Sequence, residues 1–86
     1  MIVGKVVGSV VATRKTESLT GNKFLIVEPY NDMAGNGRIV AVDNVGAGIG
    51  EDVLVALGNA ARIACKVKGS PIDAAIVGII DDSIGL

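Results

Sequence analysis

VAVDNVGAGIGEDVLVAL, the segment at residues 40–57, consists of two apolar runs separated by a glycine-rich stretch. Glycine is favoured where the backbone turns or approaches another chain closely, so the glycines within residues 46–50 predict a turn. The apolar run at residues 52–57 is too short to be distinguished from a helix by its pattern alone. The glycines at positions 50 and 58 that bound it favour a strand, so the segment is predicted to be strand, turn and strand.

The residues on the amino-terminal side of this segment predict two further strands. In residues 23–30, apolar side chains occupy both odd-numbered and even-numbered positions, which predicts a strand covered on both faces. The dipeptide Asn36-Gly37 is a strong hairpin signal, so residues 38–45 are its natural antiparallel partner. Residues 2–14 alternate with period two and are rich in valine, which predicts a long first strand. Its glycines, Gly4 and Gly8, indicate a tight bend or another backbone that passes close.

The carboxy-terminal part predicts one short helix followed by a last strand. Asn59 is a good N-cap, residues 60–64 tolerate a helix, Lys66 and Lys68 lie toward its negative end, and Gly69 can end it. Residues 74–80 are an uninterrupted apolar run that predicts a buried strand. The chain is therefore predicted to be mainly all-β, a small closed or partly open five-stranded barrel with one short helix, formed as a single domain by residues 1–86.

The composition of the 86 residues favours self-association over nucleic-acid binding. Half of the residues are hydrophobic, and a chain this short cannot easily bury so much aliphatic surface in its own core. Eight basic residues nearly balance nine acidic ones, so no field of one sign attracts a phosphate backbone or an anionic membrane. Only Phe24 and Tyr30 are aromatic, so platforms for stacking bases are almost absent.

The chain shows no convincing catalytic, cofactor or metal site. Histidine is absent, which removes the usual acid-base group at neutral pH and the commonest metal ligand. The glycines after residue 45 fail as a dinucleotide fingerprint, because Glu51 stands where the third glycine is required. Acidic residues are scattered, and Cys65 is the only cysteine, so no disulfide forms within the chain. We expect a soluble, intracellular protein without catalytic residues, metal, cofactor or small-molecule substrate.

The glycine-rich turn is the candidate functional element of the sequence. Its glycines are expected to satisfy positive φ angles or to allow close approach of another chain, most sharply at Gly48, where a β-branched residue should weaken assembly. The carboxylate of Glu51 is expected to be solvated. The candidates for a subunit interface or a pore loop are Gly46, Ala47, Gly48, Ile49, Gly50 and Glu51.

The order of the motifs along the chain is more specific than any one of them. The motifs are GKVVGSVV at 4–11, LTG at 19–21, KFLIV at 23–27, AVD at 41–43, VGAGIGE at 45–51, AR at 61–62 and IDAAIVGIID at 72–81. In this order they resemble the EutN/CcmL family of bacterial microcompartment vertex proteins, and the resemblance covers nearly the whole chain.

The resemblance implies a specific architecture and a structural role. The fold would be a barrel like that of oligonucleotide-binding proteins, and the chain would form a homopentamer that closes the five-fold vertices of a polyhedral shell, such as that of a carboxysome or of an ethanolamine or propanediol metabolosome. The implied partners are hexagonal shell proteins, and no catalysis is implied. A ring of like subunits uses two different patches on each chain, which agrees with the abundant aliphatic surface.

Two alternatives from other classes remain at this point. The barrel architecture alone permits a monomer that binds single-stranded nucleic acid, although the charge and the two aromatics argue against it. A nucleotide-dependent enzyme would have to depend on the incomplete glycine motif.

Overall fold

The regular structure of the chain consists of five strands, one short α-helix and two single-turn 3₁₀ helices in the part that the structure describes. The computed structural model describes residues 1–11, 17–19, 21–32, 35, 37–65 and 72–81. The elements are β1 (Ile2–Val10), a 3₁₀ turn (Glu17–Leu19), β2 (Lys23–Pro29), a second 3₁₀ turn (Tyr30–Asp32), β3 (Ile39–Asp43), β4 (Asp52–Leu57), α1 (Asn59–Ala64) and β5 (Ala74–Ile79).

The strands form a closed barrel in the order β1-β2-β3-β5-β4. All neighbouring strands are antiparallel except β3 and β5, which are parallel. The predicted five-stranded barrel and the predicted antiparallel pairing of the second and third strands are therefore confirmed. Closure gives every strand of the described barrel a neighbour on both sides, although β3 pairs with β5 at Val42 and Asp43 alone and β1 pairs with β4 from Ile2 to Lys5 alone. Association between copies is therefore expected mainly through side chains and loops.

The β4 strand has the predicted boundaries, and the other strands are shorter than predicted. Residues 52–57 form β4 as predicted. The first strand ends at Val10, and residues 12–14 of its predicted extent lie outside the described residues. The predicted second strand loses Tyr30 to a 3₁₀ turn, and the last strand ends at Ile79. The predicted third strand, 38–45, shrinks to Ile39–Asp43 because the carboxylate of Asp43 draws the following backbone into a turn. Asn36 lies outside the described residues.

The barrel core is built from one side of each strand. Its fully buried members are Ile2, Val6, Leu25, Val27, Ala41, Ala47, Val53, Val55, Ala74 and Ile76. The second strand was predicted to be covered on both faces, and this is wrong for the single chain. Leu25 and Val27 are buried, but Phe24 and Ile26 are only half-buried because they lie on the outside of the barrel. A smaller apolar cluster lies on that outer side, made of Val42, Ala61, Ile72 and Ala75 with Leu19, Phe24 and Cys65 packed against it.

The helix begins differently from the prediction. Gly58, with φ 61° and ψ −137°, is the N-cap, and Asn59 is the first helical residue without a side-chain capping bond. The N–H of Gly58 donates to the carbonyl of Asp73 at 2.7 Å, which anchors the chain one residue earlier than expected. The predicted end at Gly69 and the lysines 66 and 68 lie outside the described residues. Within the described residues, no helix is long and apolar enough to cross a membrane.

The first strand approaches its neighbour most closely at Gly4. A Cβ atom there would lie 2.6 Å from Cγ1 of Val27 and 2.8 Å from the carbonyl oxygen of Glu28. At Gly8 the nearest atom would be Cδ1 of Ile26 at 3.5 Å, an ordinary contact. The pairing with β2 shifts register between Val6 and Gly8, where the strand forms a bulge. The expected close backbone is thus confirmed at Gly4, and the bend lies beside Gly8.

Candidate functional site

The first half of the glycine-rich loop is held by a buried carboxylate. Asp43 ends β3, and its side chain is only 3% exposed. Its Oδ1 atom accepts hydrogen bonds from the backbone N–H groups of Val45, Gly46 and Ala47 at 3.1, 3.1 and 3.2 Å. Lys23 lies 3.9 Å from Oδ2 of Asp43 and donates to the carbonyl of Ala47 at 3.0 Å. This half of the loop is therefore fixed to the end of the barrel wall.

The second half of the loop is held by β1 and by Glu51. The N–H of Gly50 donates to the carbonyl of Val6 at 2.8 Å, and the N–H of Val6 donates to the carbonyl of Glu51 at 2.9 Å. The N–H of Gly48 donates to the Glu51 carboxylate at 2.7 Å, and the N–H of Glu51 returns a bond to the carbonyl of Gly48 at 3.2 Å. The expectation that the Glu51 carboxylate is merely solvated is wrong, because it accepts this loop N–H.

The candidate residues predicted from the sequence differ in their surroundings and in their backbone conformation. Ala47 is buried in the barrel core, so its side chain is directed away from any partner. Gly46 and Gly50 have φ angles of 79° and 95°, which glycine adopts at little cost. Gly48 does not have a positive φ, and a Cβ there would meet Oε1 of Glu51 at an ordinary 3.5 Å. The geometry of the single chain therefore does not require glycine at position 48, and its role against a second chain stays a prediction.

The exposed tip of the loop is Ile49. Its side chain is 68% exposed, although the backbone on both sides is fixed by the bonds described above. The loop leads directly into β4, a strand, whereas a dinucleotide site built on such a glycine motif needs a helix N-terminus after the glycines. The geometry therefore argues against the nucleotide alternative. The loop instead exposes an aliphatic side chain on the outside of the barrel.

A second polar cluster joins three residues that sequence reasoning did not connect. Lys5 lies opposite Asp52 in the β1–β4 pairing, and its Nζ atom is 3.3 Å from Oδ1 of Asp52. The Tyr30 hydroxyl donates to the same oxygen at 2.5 Å. Lys5 also donates to the carbonyl of Gly50 at 3.3 Å, so the cluster supports the end of the glycine-rich loop. These positions are distant in sequence, and only the strand register brings them together.

The cluster shifts the pKa of each of its members. The hydrogen bond from Tyr30, and then the bond from Lys5, lower the pKa of Asp52 below its usual 3.8. The hydrogen bond to Asp52 raises the pKa of Tyr30, since the phenol must keep its proton to donate. The bonds to Asp52 and to Tyr30 raise the pKa of Lys5. All three groups thus favour the state in which Asp52 is ionised and its two partners are protonated.

Asp52→Asn is expected to lower the melting temperature at neutral pH and to lose this effect in acid. Because the folded pKa of Asp52 is lowered, its ionised form stabilises the fold above the unfolded value of 3.8, and the contribution disappears as the pH falls through the folded pKa. Melting of both proteins, followed by circular dichroism across the acid range, measures the difference. Glu28→Gln is the control, because the ion pair of Glu28 with Arg38, at 3.8 Å, is exposed to solvent. A difference between wild type and Asp52→Asn that does not change with pH contradicts the assignment.

An apolar groove opens on the outer face of β2 and β3. It encloses about 170 Å³ and has one charged residue, Asp73, at its rim. We call it the outer groove, and its apolar lining consists of Leu19, Phe24, Val40, Val42, Ile72 and Ala74. Val40 is 51% exposed. The sequence does not predict this groove, because two of its lining residues, Phe24 and Ala74, belong to strands that are predicted to be covered.

Neither aromatic residue is arranged as a stacking platform. Phe24 is half-buried in the outer groove, and Tyr30 is half-buried with its hydroxyl bonded to Asp52. Among the described residues, no three acidic or cysteine side chains come together as a metal-binding group.

Comparison with known proteins gives a consistent result over nearly the whole chain. The family model described as ethanolamine utilisation protein EutN/carboxysome matches residues 1–81. The chain is 47% identical over 83 residues to the bacterial microcompartment shell vertex protein GrpN of Rhodospirillum rubrum, covering 94% of this chain and 93% of GrpN. It is 45% identical over 84 residues to the carboxysome shell vertex protein CcmL of Synechococcus elongatus, covering 94% of this chain and 84% of CcmL.

The solved structures lead to the same group of proteins. The structure of the GrpN pentameric microcompartment shell protein from Rhodospirillum rubrum superimposes on this chain with a TM-score of 0.80 at 46% identity. The match covers 95% of this chain and 96% of GrpN. The names of these relatives are those of structural shell proteins and not of enzymes.

Proposed function

The chain belongs to the family described as ethanolamine utilisation protein EutN/carboxysome, and on that premise we propose that it forms a homopentamer capping the five-fold vertices of a bacterial microcompartment shell. The observation that carries the proposal is the likeness to the pentameric shell protein GrpN, which extends over 95% of this chain. Because the match covers almost the whole chain, no large part of the barrel is left over for a different architecture.

The physical properties of the chain support a ring. In the described barrel every strand has a neighbour on both sides, so association by extending a sheet is disfavoured. Several aliphatic side chains are exposed on the surface. Exposed aliphatic side chains that lie next to one another usually mark a binding surface for a partner. A closed ring needs two different patches on each subunit, and a closed assembly stops growing when it is complete. The exposed loop tip and the outer groove are two such patches.

The proposal is a structural one. The whole chain, residues 1–86, acts as a single vertex domain in the shell of a microcompartment within the bacterial cytoplasm. Its partners are four further copies of itself and the hexagonal proteins of the adjoining shell facets. The role requires no catalytic residue, cofactor, nucleic acid or small-molecule substrate.

Native mass spectrometry of the purified chain is expected to give a species of five times the 8.7 kDa subunit mass. The physical reason is that a heterologous contact closes at a fixed number of subunits instead of giving a broad distribution. A strictly monomeric species at micromolar concentration contradicts the proposal.

A binding measurement distinguishes the proposed vertex protein from a monomer that binds nucleic acid. In a gel shift with single-stranded DNA at low salt, we expect no retarded band, since the chain has a net charge of −1 and two half-buried aromatics. Clear micromolar binding by a monomer would favour the alternative over the vertex protein.

A further inference from the structure

We infer that Ile49 of one subunit inserts into the outer groove of the next subunit and is the central contact of the ring. The inference rests on the proposed pentamer and adds which two surfaces meet in it. The occupant of the groove is thus a second copy of this chain.

The first half of the contact is an aliphatic side chain held out on a fixed loop. Ile49 is 68% exposed, and the loop is bonded on one side to Asp43 and on the other to Val6 and Glu51. An exposed isoleucine on a loop fixed in this way has already lost most of its backbone freedom. A partner that covers it therefore gains apolar burial with little further ordering cost.

The second half of the contact is the outer groove. Its volume of about 170 Å³ suits one aliphatic side chain, since a cavity of about 150 Å³ already accepts a benzene molecule. Its walls are aliphatic and aromatic, and Val40 at its edge is 51% exposed. A stable interface needs a central anchor, aromatic or aliphatic, that fills a pocket of this kind.

The two halves lie on different sides of the same barrel. Ile49 is attached where β1 and β4 meet, through the bonds of Gly50 and Glu51 to Val6. The groove is on β3 and its neighbours, and in the strand order β3 is separated from the β1–β4 seam by β2 on one side and by β5 on the other. One subunit can therefore donate its Ile49 and accept that of a neighbour at the same time, as a heterologous ring requires.

The charges around the two halves are mutually compatible. Lys5 bonds to the carbonyl of Gly50 and is paired with Asp52, so the exposed Glu51 makes the surroundings of Ile49 net negative. Arg62 donates to the carbonyl of Ile72 at 2.9 Å, so the groove has a cation beside it as well as the exposed Asp73 at its rim. Docking would place Glu51 opposite Arg62 at the edge of an apolar centre, as in typical interfaces.

The test compares aspartate substitutions at two equally exposed isoleucines. Ile49 and Ile63 are both 68% exposed in the single chain, so Ile49→Asp and Ile63→Asp should perturb the barrel alike and little. We expect Ile49→Asp to raise the subunit concentration needed for half-assembly at least about tenfold, and Ile63→Asp to leave it within about threefold. Val40→Asp, in the groove, should act like Ile49→Asp. Native mass spectrometry over a dilution series gives these concentrations.

Cross-linking tests the pairing itself. In a Cys65→Ala background, the double variant Ile49→Cys and Val40→Cys is expected to form disulfides between neighbours on oxidation. A denaturing, non-reducing gel should show a ladder beyond the dimer, whereas each single-cysteine variant should remain monomeric. If the wild type is a pentamer but Ile49→Asp assembles normally or the ladder is absent, the inference is overturned and the ring stands. If the wild type is a monomer, the proposed function itself fails.

Discussion

Gly4→Ala is expected to lower the free energy of unfolding by on the order of 3 kcal/mol, because the new methyl group has no room between β1 and β2. It would lie 2.8 Å from the carbonyl oxygen of Glu28 and 2.6 Å from Cγ1 of Val27. The valine methyl can rotate, but the carbonyl belongs to the paired strand and moves only if the barrel wall opens. For a domain of this size, such a loss corresponds to a decrease in Tm of roughly 12–24 °C.

Gly8→Ala is the matched control for this prediction. It is a glycine of the same strand and faces the same neighbour, but its Cβ would meet Cδ1 of Ile26 at 3.5 Å. Because alanine loses less backbone entropy than glycine on folding, we expect a change within about 1 kcal/mol and of either sign. Urea unfolding at one fixed subunit concentration measures both variants, since assembly makes stability depend on concentration. Equal stability of the two variants would show that β1 and β2 are not packed as described.

The sequence allowed much of this barrel to be predicted, because the signals for it are local. Alternation in the first strand, the apolar runs of the others and the glycines between them depend on neighbouring residues only. The glycines of the first strand indicated a close backbone, but the pattern does not distinguish Gly4 from Gly8. That distinction depends on the register with β2, in which Gly4 lies opposite Pro29 and Gly8 lies opposite Ile26.

The parts that could not be predicted depend on contacts between distant residues. Lys5, Tyr30 and Asp52 meet only because β1 pairs with β4 and the chain turns after Pro29. The helix start differs from the prediction because the bond of Gly58 to Asp73 continues the pairing of β4 with β5. The outer groove combines β2 and β3 with residues 72–74, a segment well separated from both strands in the sequence. No local pattern records such pairings.

The role of Asp43 has a local signal in the sequence, but its burial depends on the fold. An aspartate followed by a short stretch with glycine is a familiar start of a turn, in which the carboxylate accepts backbone N–H groups a few residues ahead. The run from Asp43 to Gly46 carries that signal, whereas the scattering of the acidic residues bears only on metal binding. The structure shows the carboxylate almost fully buried with three such bonds.

Asp43→Ala is accordingly expected to cost about 2–4 kcal/mol of unfolding free energy. Each bond from a backbone N–H to a charged oxygen contributes about 1.5–3 kcal/mol, but water replaces part of this where the donors of Val45 and Gly46 are exposed. The donor of Ala47 is the critical one, because Ala47 is buried in the core and water reaches it poorly. Asp43→Asn keeps an oxygen in place and should cost about half as much. Urea unfolding gives the stabilities of both variants.

Lys23→Met is the control that separates the backbone bonds from the ion pair. Lys23 is more than half exposed and 3.9 Å from the carboxylate, so its loss should cost at most about 1 kcal/mol. Hydrogen exchange adds a local measure: in Asp43→Ala the amides of Val45 and Ala47 should lose protection while those of β1 keep it. Because the same bonds hold one side of the loop that presents Ile49, assembly should weaken together with this protection. Asp43→Ala with wild-type stability and unchanged exchange at Ala47 would mean that the loop is held by β1 and Glu51 alone.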